Sequence, residues 1–393
     1  MTPSARVQSA IEILDLIIAA ARGQGASADK IVAEWFRARR FAGSGDRRAI
    51  RELVYAAIRA CGEVPVSGRA AMLAMAAGDA ALAALFDGGT HGPAPIAPGE
   101  VAALGGVAPA WLEERLAASG IDGEGARALL GRAALDVRVN SLKADRGTLA
   151  LPILGEELLS PQGLRLPAGT LVEQWEAYNL GLIEVQDGGS QLVCAAVGAR
   201  PGEVVVDLCA GAGGKTLQLA AEMENRGRLI ACDVARDRLA RLGPRAARAG
   251  VAIVEQRLLN PAREMEALGD LAGQADAVLV DAPCSGTGTW RRNPEGRWRL
   301  SEGELAKLVA LQARLMDVAA GLVRNGGRLV YVTCSLLDAE GAGQVDAFLA
   351  RHEGWRAEPV ALAAGSPRGA GWRLDPARDG CDGFFVARLE RLC

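Results

Sequence analysis

Histidine is nearly absent from this 393-residue chain, occurring only as His91 and His352. None of the eight cysteines (Cys61, Cys194, Cys209, Cys232, Cys284, Cys334, Cys381 and Cys393) forms a CxxC pair. These spacings exclude the usual zinc sites, so no metal is expected. A chain of this length also needs no disulfide staples, and several of the cysteines fall in apolar runs, where buried reduced thiols occur. No stretch approaches the ~18 uncharged apolar residues of a membrane span. Glu12 and Asp15 interrupt the apolar region that a signal peptide would need. The expectation is a soluble, cytoplasmic protein without a membrane partner. Lysine is scarce, arginine carries most of the positive charge, and the net charge is −3. No global excess announces a nucleic-acid partner, so such a reading must rest on local features.

What is present is apolar bulk and glycine: 50% of residues are apolar and 49 are glycine. The length suits two or three domains with a large core. Residues 5–60 read as helical, with Val7, Ile11, Leu14 and Ile18, and later Ile50, Leu53, Val54, Ala57 and Ile58, at helical spacing. Between them RARRFAGSGDRRAIR is dense in arginine around a Gly-Ser-Gly turn, either a solvated helix junction or a nucleic-acid contact. The Gly- and Pro-rich stretch 87–100 marks a first boundary. The expected division is a helical domain over 1–104, a small α+β segment over 105–180 and an α/β domain over 181–393. In the last, VVVDL, RLIACD, AVLVDA and RLVYVTC each precede a helical stretch. Such alternation predicts a doubly wound parallel sheet, covered on both faces and binding ligands at the C-terminal strand ends.

Those strand ends carry chemistry. DLCAGAGGKT, residues 207–216, offers Gly211, Gly213 and Gly214 for a tight turn before a helix. Asp233 closes the next strand, where an acid reaches ribose hydroxyls. A phosphate-binding P-loop would need glycine where Cys209 stands, and a dinucleotide fingerprint would need glycine where Thr216 stands. S-adenosylmethionine, with a ribose but no phosphate, asks for neither. Two further strands each deliver a cysteine, in DAPCSGTG (281–288) and VTCS (332–335). A doubly wound sheet would turn both toward one cleft.

These motifs, with RRNPE (291–295), YVTCSLL (331–337), DGFFVARL (382–389), VQDGGSQL (185–192) and RVNSLK (138–143), resemble the cytosine-5 RNA methyltransferases of the Sun/nucleolar-protein group. The resemblance covers residues 105–393, in the family's motif order. Residues 1–60, above all GDRRAIRELVYAAIR, resemble the NusB-like helical domain of the bacterial Sun (RsmB-like) branch, although the segment is short for a complete NusB fold. The resemblance implies a Rossmann-like class I methyltransferase domain acting on ribosomal RNA as a monomer. It implies a cofactor site of Cys209, Ala210, Gly211, Ala212, Gly213, Gly214, Lys215, Asp233, Arg238 and Asp281. It also implies Cys334 as nucleophile, Cys284 in product release and Asp281 in cytosine activation. DNA cytosine methyltransferases use a Pro-Cys cysteine instead, so residue chemistry alone leaves the two cysteines interchangeable.

Expected RNA contacts are Arg291, Arg292, Asn293 and Asn140. Around the first three, TWRRNPEGRWR interleaves arginine with Trp290 and Trp298, a composition suited to phosphates and stacked bases. The arginines 238, 241, 245 and 248 share one helix face and read as solvated. Two departures stand out: Ala212 replaces the family's proline, and 252–261 lacks the aspartate the family places beside adenine. Competing readings are a tRNA substrate, a P-loop-like ATPase using Lys215 and Asp281, and a non-catalytic RNA-binding assembly factor.

Overall fold

The computed structural model describes residues 1–23 and 25–392, so Cys393 lies outside the described residues. The chain forms two compact units, one of residues 1–131 with 289–301, the other of residues 132–288 with 302–393.

The first unit is helical. Pro3–Arg22 starts where Pro3 presets the first turn and the Thr2 hydroxyl accepts the Ala5 N–H. Its apolar stripe, with Val7, Ile11 and Leu14, packs against those of Ala28–Ala38, Ser44–Ala60 and Gly68–Ala76 in one core that includes Ile50, Val54 and Ile58. The unit runs past the boundary expected at residue 104, because the helices Ala110–Ala118 and Gly123–Ala128 belong to it. Its least expected member is the segment 289–301. Trp298 joins the helical core, and Trp290 and Arg297 are fully enclosed. The Arg297 guanidinium donates to the carbonyls of Ile58 (2.6 Å), Cys61 (2.8 Å) and Pro294. The Arg299 Nη1 donates to Gly25 O (2.9 Å), and the Glu295 carboxylate accepts the Ala28 N–H (3.0 Å).

The second unit holds two sheets. Strands β1 (Leu135–Val139), β2 (Glu156–Glu157), β3 (Gly163–Leu166) and β4 (Ile183–Val185) form an antiparallel sheet in the order β2-β3-β1-β4. This sheet crosses the boundary expected at residue 180, since β4 pairs with β1. The larger sheet contains β5 (Val204–Asp207), β6 (Arg228–Asp233), β7 (Val254–Leu258), β8 (Ala275–Asp281), β9 (Val323–Thr333), β10 (Trp355–Glu358), β11 (Ser366–Arg368), β12 (Gly371–Leu374) and β13 (Phe384–Arg391). Its order is β11-β12-β13-β9-β8-β5-β6-β7, with β10 beside β13. Strands β7, β6, β5, β8 and β9 run parallel, and β13 runs antiparallel to β9. The central strands are apolar without alternation because helices cover both faces: Val205 faces one core cluster and Val206 the other.

The chain leaves β5 toward β6 and β7, then returns to place β8 on the other side of β5. The order reverses between β5 and β8, and that reversal opens a crevice at their C-terminal ends. Among the described residues, no helix is long and apolar enough to cross a membrane.

Candidate active site

Four parallel strands end together, and each end carries a residue of interest: Asp207 on β5, Asp233 on β6, Asp281 on β8 and Thr333 before Cys334 on β9. Among the seven described cysteines, Cys61, Cys194, Cys232 and Cys381 are buried, whereas Cys209, Cys284 and Cys334 are partly exposed. The three partly exposed thiols all lie just beyond these strand ends.

The loop after β5 turns at Gly211 (φ +58°) and Gly213 (φ +87°), both in the left-handed region. A Cβ on Gly213 would lie 2.2 Å from Leu242 Cδ1, so the position has no room for a side chain. Gly211 and Gly214 face open space. The Asp233 carboxylate, nearly buried, accepts the Gly211 N–H (2.8 Å) and the Ala235 N–H (2.7 Å), which fixes the loop against β6. Arg238 reaches the same carboxylate at 3.2 Å. At the root of the loop Asp207 accepts the Thr216 hydroxyl (2.7 Å) through one oxygen, while its buried Oδ1 has no partner. Burial pushes the Asp207 carboxyl up to about 7, against the lowering effect of the Thr216 bond. Open glycines, an acid at the β6 end and an orphaned buried acceptor suit a ligand with ribose hydroxyls and an ammonium group.

Lys215, the first-turn lysine of the next helix, extends its Nζ to Asp281 Oδ2 (2.7 Å) and lies 5.3 Å from the Phe384 ring centroid. Burial pulls its pKa down, but the charge and hydrogen bond of Asp281 leave it raised. Lysine and aspartate therefore form an ion pair between the cofactor loop and the DAPC loop. Beyond it the Cys284 and Cys334 sulfurs stand 3.3 Å apart. The hydrogen bond to Cys334 and burial hold the Cys284 thiol well above its ordinary value. The sequence pointed to the glycines, acids, Lys215 and the three thiols of this site, but not to the Phe384 contact or the polar layer behind the cysteines. That layer comprises Glu340, Gln312, Ser285, Ser335 and Thr287.

Several expected RNA residues stand elsewhere. Asn140 is buried; its amide donates to Gly181 O (2.9 Å) and to Ala249 O (2.8 Å) at the end of the helix Leu242–Ala249. A side chain spent on two carbonyls away from solvent is structural, which corrects the expected RNA contact. Trp290, Trp298 and Arg297 are likewise enclosed in the helical unit, so the expected aromatic stacking surface does not exist there. Arg291 and Arg292 are partly exposed and Asn293 is exposed. The arginine helix face is also not simply solvated: Arg245 (3.0 Å) and Arg248 both pair with buried Glu184, and Arg248 covers the Tyr178 ring. In RARRFAGSGDRRAIR, Arg39 lies over Trp35 and Arg47 over Phe36, while Arg37, Arg40, Arg48 and Arg51 are exposed. Within 252–261 the one acid, Glu255, pairs with Arg228 (3.1 Å) and Arg257 (2.6 Å) along the sheet edge.

A parallel sheet reversing beside a glycine loop, with an acid closing β6 and an antiparallel strand beyond β9, defines a Rossmann-like methyltransferase domain. The comparisons with known proteins agree. The model of the 16S rRNA methyltransferase RsmB/F family matches residues 195–390. Ribosomal RNA small subunit methyltransferase B of Xylella fastidiosa (strain 9a5c) is 38% identical over 292 residues, covering 72% of this chain and 68% of its own. That of Thermus thermophilus is 42% identical over 220 residues, covering 54% of this chain and 51% of its own. The crystal structure of PH0851 superposes with a TM-score of 0.76 at 26% identity, over 100% of this chain and 99% of that one. The chain belongs to the RsmB/F family of 16S rRNA methyltransferases. It spans 60% and 51% of the length of the Synechocystis and Thermus relatives it matches.

Proposed function

We propose that this chain transfers a methyl group from S-adenosylmethionine to C5 of a cytosine in 16S ribosomal RNA, through a covalent bond between Cys334 and C6. The observation that carries the reading is the pair of thiols 3.3 Å apart beside the Lys215–Asp281 ion pair, at the mouth of a methyltransferase cleft. The residues Cys209 to Lys215, with Asp233, would hold the cofactor. Bound there, it supplies an electrophilic methyl on sulfonium.

Cytosine C5 is a weak nucleophile. Addition of the Cys334 thiolate to C6 forms an S–C6 bond and makes C5 enamine-like, dividing one hard step into easier ones. Protonation or hydrogen bonding at N3 draws the displaced electrons into the ring. Asp281 is the residue we assign to that edge, oriented by the lysine that occupies one of its oxygens. Once C5 carries the methyl group, its proton leaves, and the electrons of that C–H bond expel Cys334 from C6. We assign Cys284 to this last phase. The base must leave its stack to reach the cleft, which is least costly in a single-stranded loop. Arg291, Arg292 and Asn293 remain the proposed RNA contacts.

The test uses labelled 16S RNA and denaturing gels. Cys334→Ala should abolish methylation and adducts, whereas Cys284→Ala should accumulate a covalent RNA–protein complex. Adducts that persist in Cys334→Ala and vanish in Cys284→Ala would reverse the roles. Bisulfite sequencing of ribosomal and transfer RNA from a deletion strain identifies the substrate; a methylcytosine lost only from tRNA would reassign it. RNA affinity should fall steeply with added salt.

A further inference from the structure

The proposed chemistry uses the two cysteines but not the carboxylate behind them. Glu340 is completely buried, in a short 3-10 turn after β9. Its Oε1 accepts the Ser285 N–H (2.9 Å) and a Gln312 amide N–H (2.9 Å), and its Oε2 accepts the Ser285 hydroxyl. Its carbonyl accepts the Tyr331 hydroxyl (2.8 Å) and the Thr333 hydroxyl (3.4 Å). Gln312 also donates to Pro283 O (2.9 Å) and is itself oriented by Gln344 (3.3 Å). Ser285 Oγ meets Ser335 Oγ at 3.1 Å, and Ser335 Oγ meets Thr287 Oγ1 at 3.2 Å.

The arrangement has a simple logic. Pro283 and Ser285 flank Cys284, and Thr333 and Ser335 flank Cys334. All four flanking residues reach Glu340 directly or through one intervening side chain. The Cys334 side is also held by the ladder between β9 and β13, where Thr333 faces Phe385. The Cys284 side is held more sparsely: β8 ends at Asp281, and beyond it only the Ala282 N–H, to Val332 O (2.9 Å), and the Gly288 N–H, to Cys334 O (3.0 Å), tie the described main chain of the loop to the β9 segment. A carboxyl group is costly to bury unless its lone pairs are filled, and here three donors from two residues fill them.

We propose that Glu340 is the positioning residue for Cys284, holding the DAPC loop so that its thiol stays beside Cys334 for product release. This rests on the roles proposed for the two cysteines. Loss of Glu340 should free the Cys284 loop first and leave Cys334 on its strand. The outcome should therefore copy Cys284→Ala, not Cys334→Ala.

The experiment compares Glu340→Ala, Glu340→Gln, Cys284→Ala and Cys334→Ala in the full chain, measuring S-adenosylmethionine binding, kcat, KM and adduct yield with 16S RNA. Glu340→Ala should bind the cofactor within about 2-fold of the parent. Its kcat should fall about 10-fold or more with KM changed less than about 3-fold, and adduct should rise about 5-fold. Glu340→Gln, which keeps one acceptor, should restore part of the rate. A purely structural role would lower cofactor binding, rate and adduct together, and that result overturns the proposal. Adduct in Cys284→Ala but none in Glu340→Ala overturns it alone. No adduct in Cys284→Ala overturns the cysteine roles and the proposal with them. If Glu340→Ala does not fold, Ser285→Ala decides: adduct above the parent supports the proposal, and the parent's level refutes it.

Discussion

Replacing Arg297 by methionine separates two roles that an arginine beside tryptophan can play. The side chain is fully buried in the helical unit and donates to the carbonyls of Ile58, Cys61 and Pro294. Three charge-assisted hydrogen bonds at ~1.5–3 kcal/mol each amount to roughly 5–9 kcal/mol. Against this stands desolvation, which pulls the Arg297 pKa well below its ordinary value, down to about 10. That difference corresponds to about 3 kcal/mol, a penalty that methionine does not carry. Cys61 O keeps the Trp298 indole N–H at 3.3 Å, which softens the loss slightly. The net destabilisation is about 2–6 kcal/mol, or a fall in Tm on the order of 10 °C. Urea unfolding followed by tryptophan fluorescence reads this, since Trp35, Trp111, Trp290 and Trp298 report from the helical unit, against Trp175, Trp355 and Trp372 in the other. RNA affinity of the folded fraction should stay within about 2-fold of the parent. An unchanged unfolding midpoint with a tenfold loss of RNA affinity would refute the structural role.

Three other perturbations follow from the same geometry. Glu184→Gln leaves Arg245 and Arg248 without their shared buried carboxylate and should cost about 3 kcal/mol, measured as a lower denaturation midpoint. Asp207 sits at about 7 in the folded chain against an ordinary 3.8, so the folded state holds a proton that the unfolded state releases. Its contribution is complete below pH ~4 and disappears as pH rises toward ~7, worth at most about 4 kcal/mol; Asp207→Asn should flatten that fall between pH ~4 and ~7, and an unaltered pH profile would exclude Asp207 as its source. Asp233→Asn removes one acceptor from the pair that holds Gly211 and Ala235, so equilibrium binding of S-adenosylmethionine without magnesium should weaken about tenfold or more.

The doubly wound sheet could be read from the chain because its central strands are unbroken apolar runs that end in Asp207, Asp233, Asp281 and Thr333. The glycines and cysteines that follow those ends are short-range signals, and a parallel sheet gathers them automatically. The destination of residues 289–301 was not legible for a chemical reason. A guanidinium meets backbone carbonyls with the same donors it offers to phosphates, and tryptophan stacks or packs with equal ease. The same ambiguity misplaced Asn140, whose amide suits a base edge as well as two main-chain oxygens. Glu340 carries no periodic signature and lies 55 residues from the Ser285 it holds, so only the folded chain connects them. The boundary at residue 180 failed because β4 completes its sheet by pairing back to β1, a non-local contact that composition does not mark.

The excursion of 289–301 into the helical unit also imposes an order of events during synthesis. The core around Ile50, Val54 and Ile58 includes Trp298, and the chain must pass through β5 to β8 before that residue exists. At ~5–20 residues per second, roughly 10–30 seconds separate the emergence of residue 131 from that of Trp298. Throughout that interval the nascent helical bundle is a partial core awaiting its last side chains, while the first strands of the catalytic sheet are already available to assemble. A fragment ending at residue 131 is the permanent form of this waiting state, and a clone that begins at residue 132 strands Trp290, Arg297 and Trp298 without their partners.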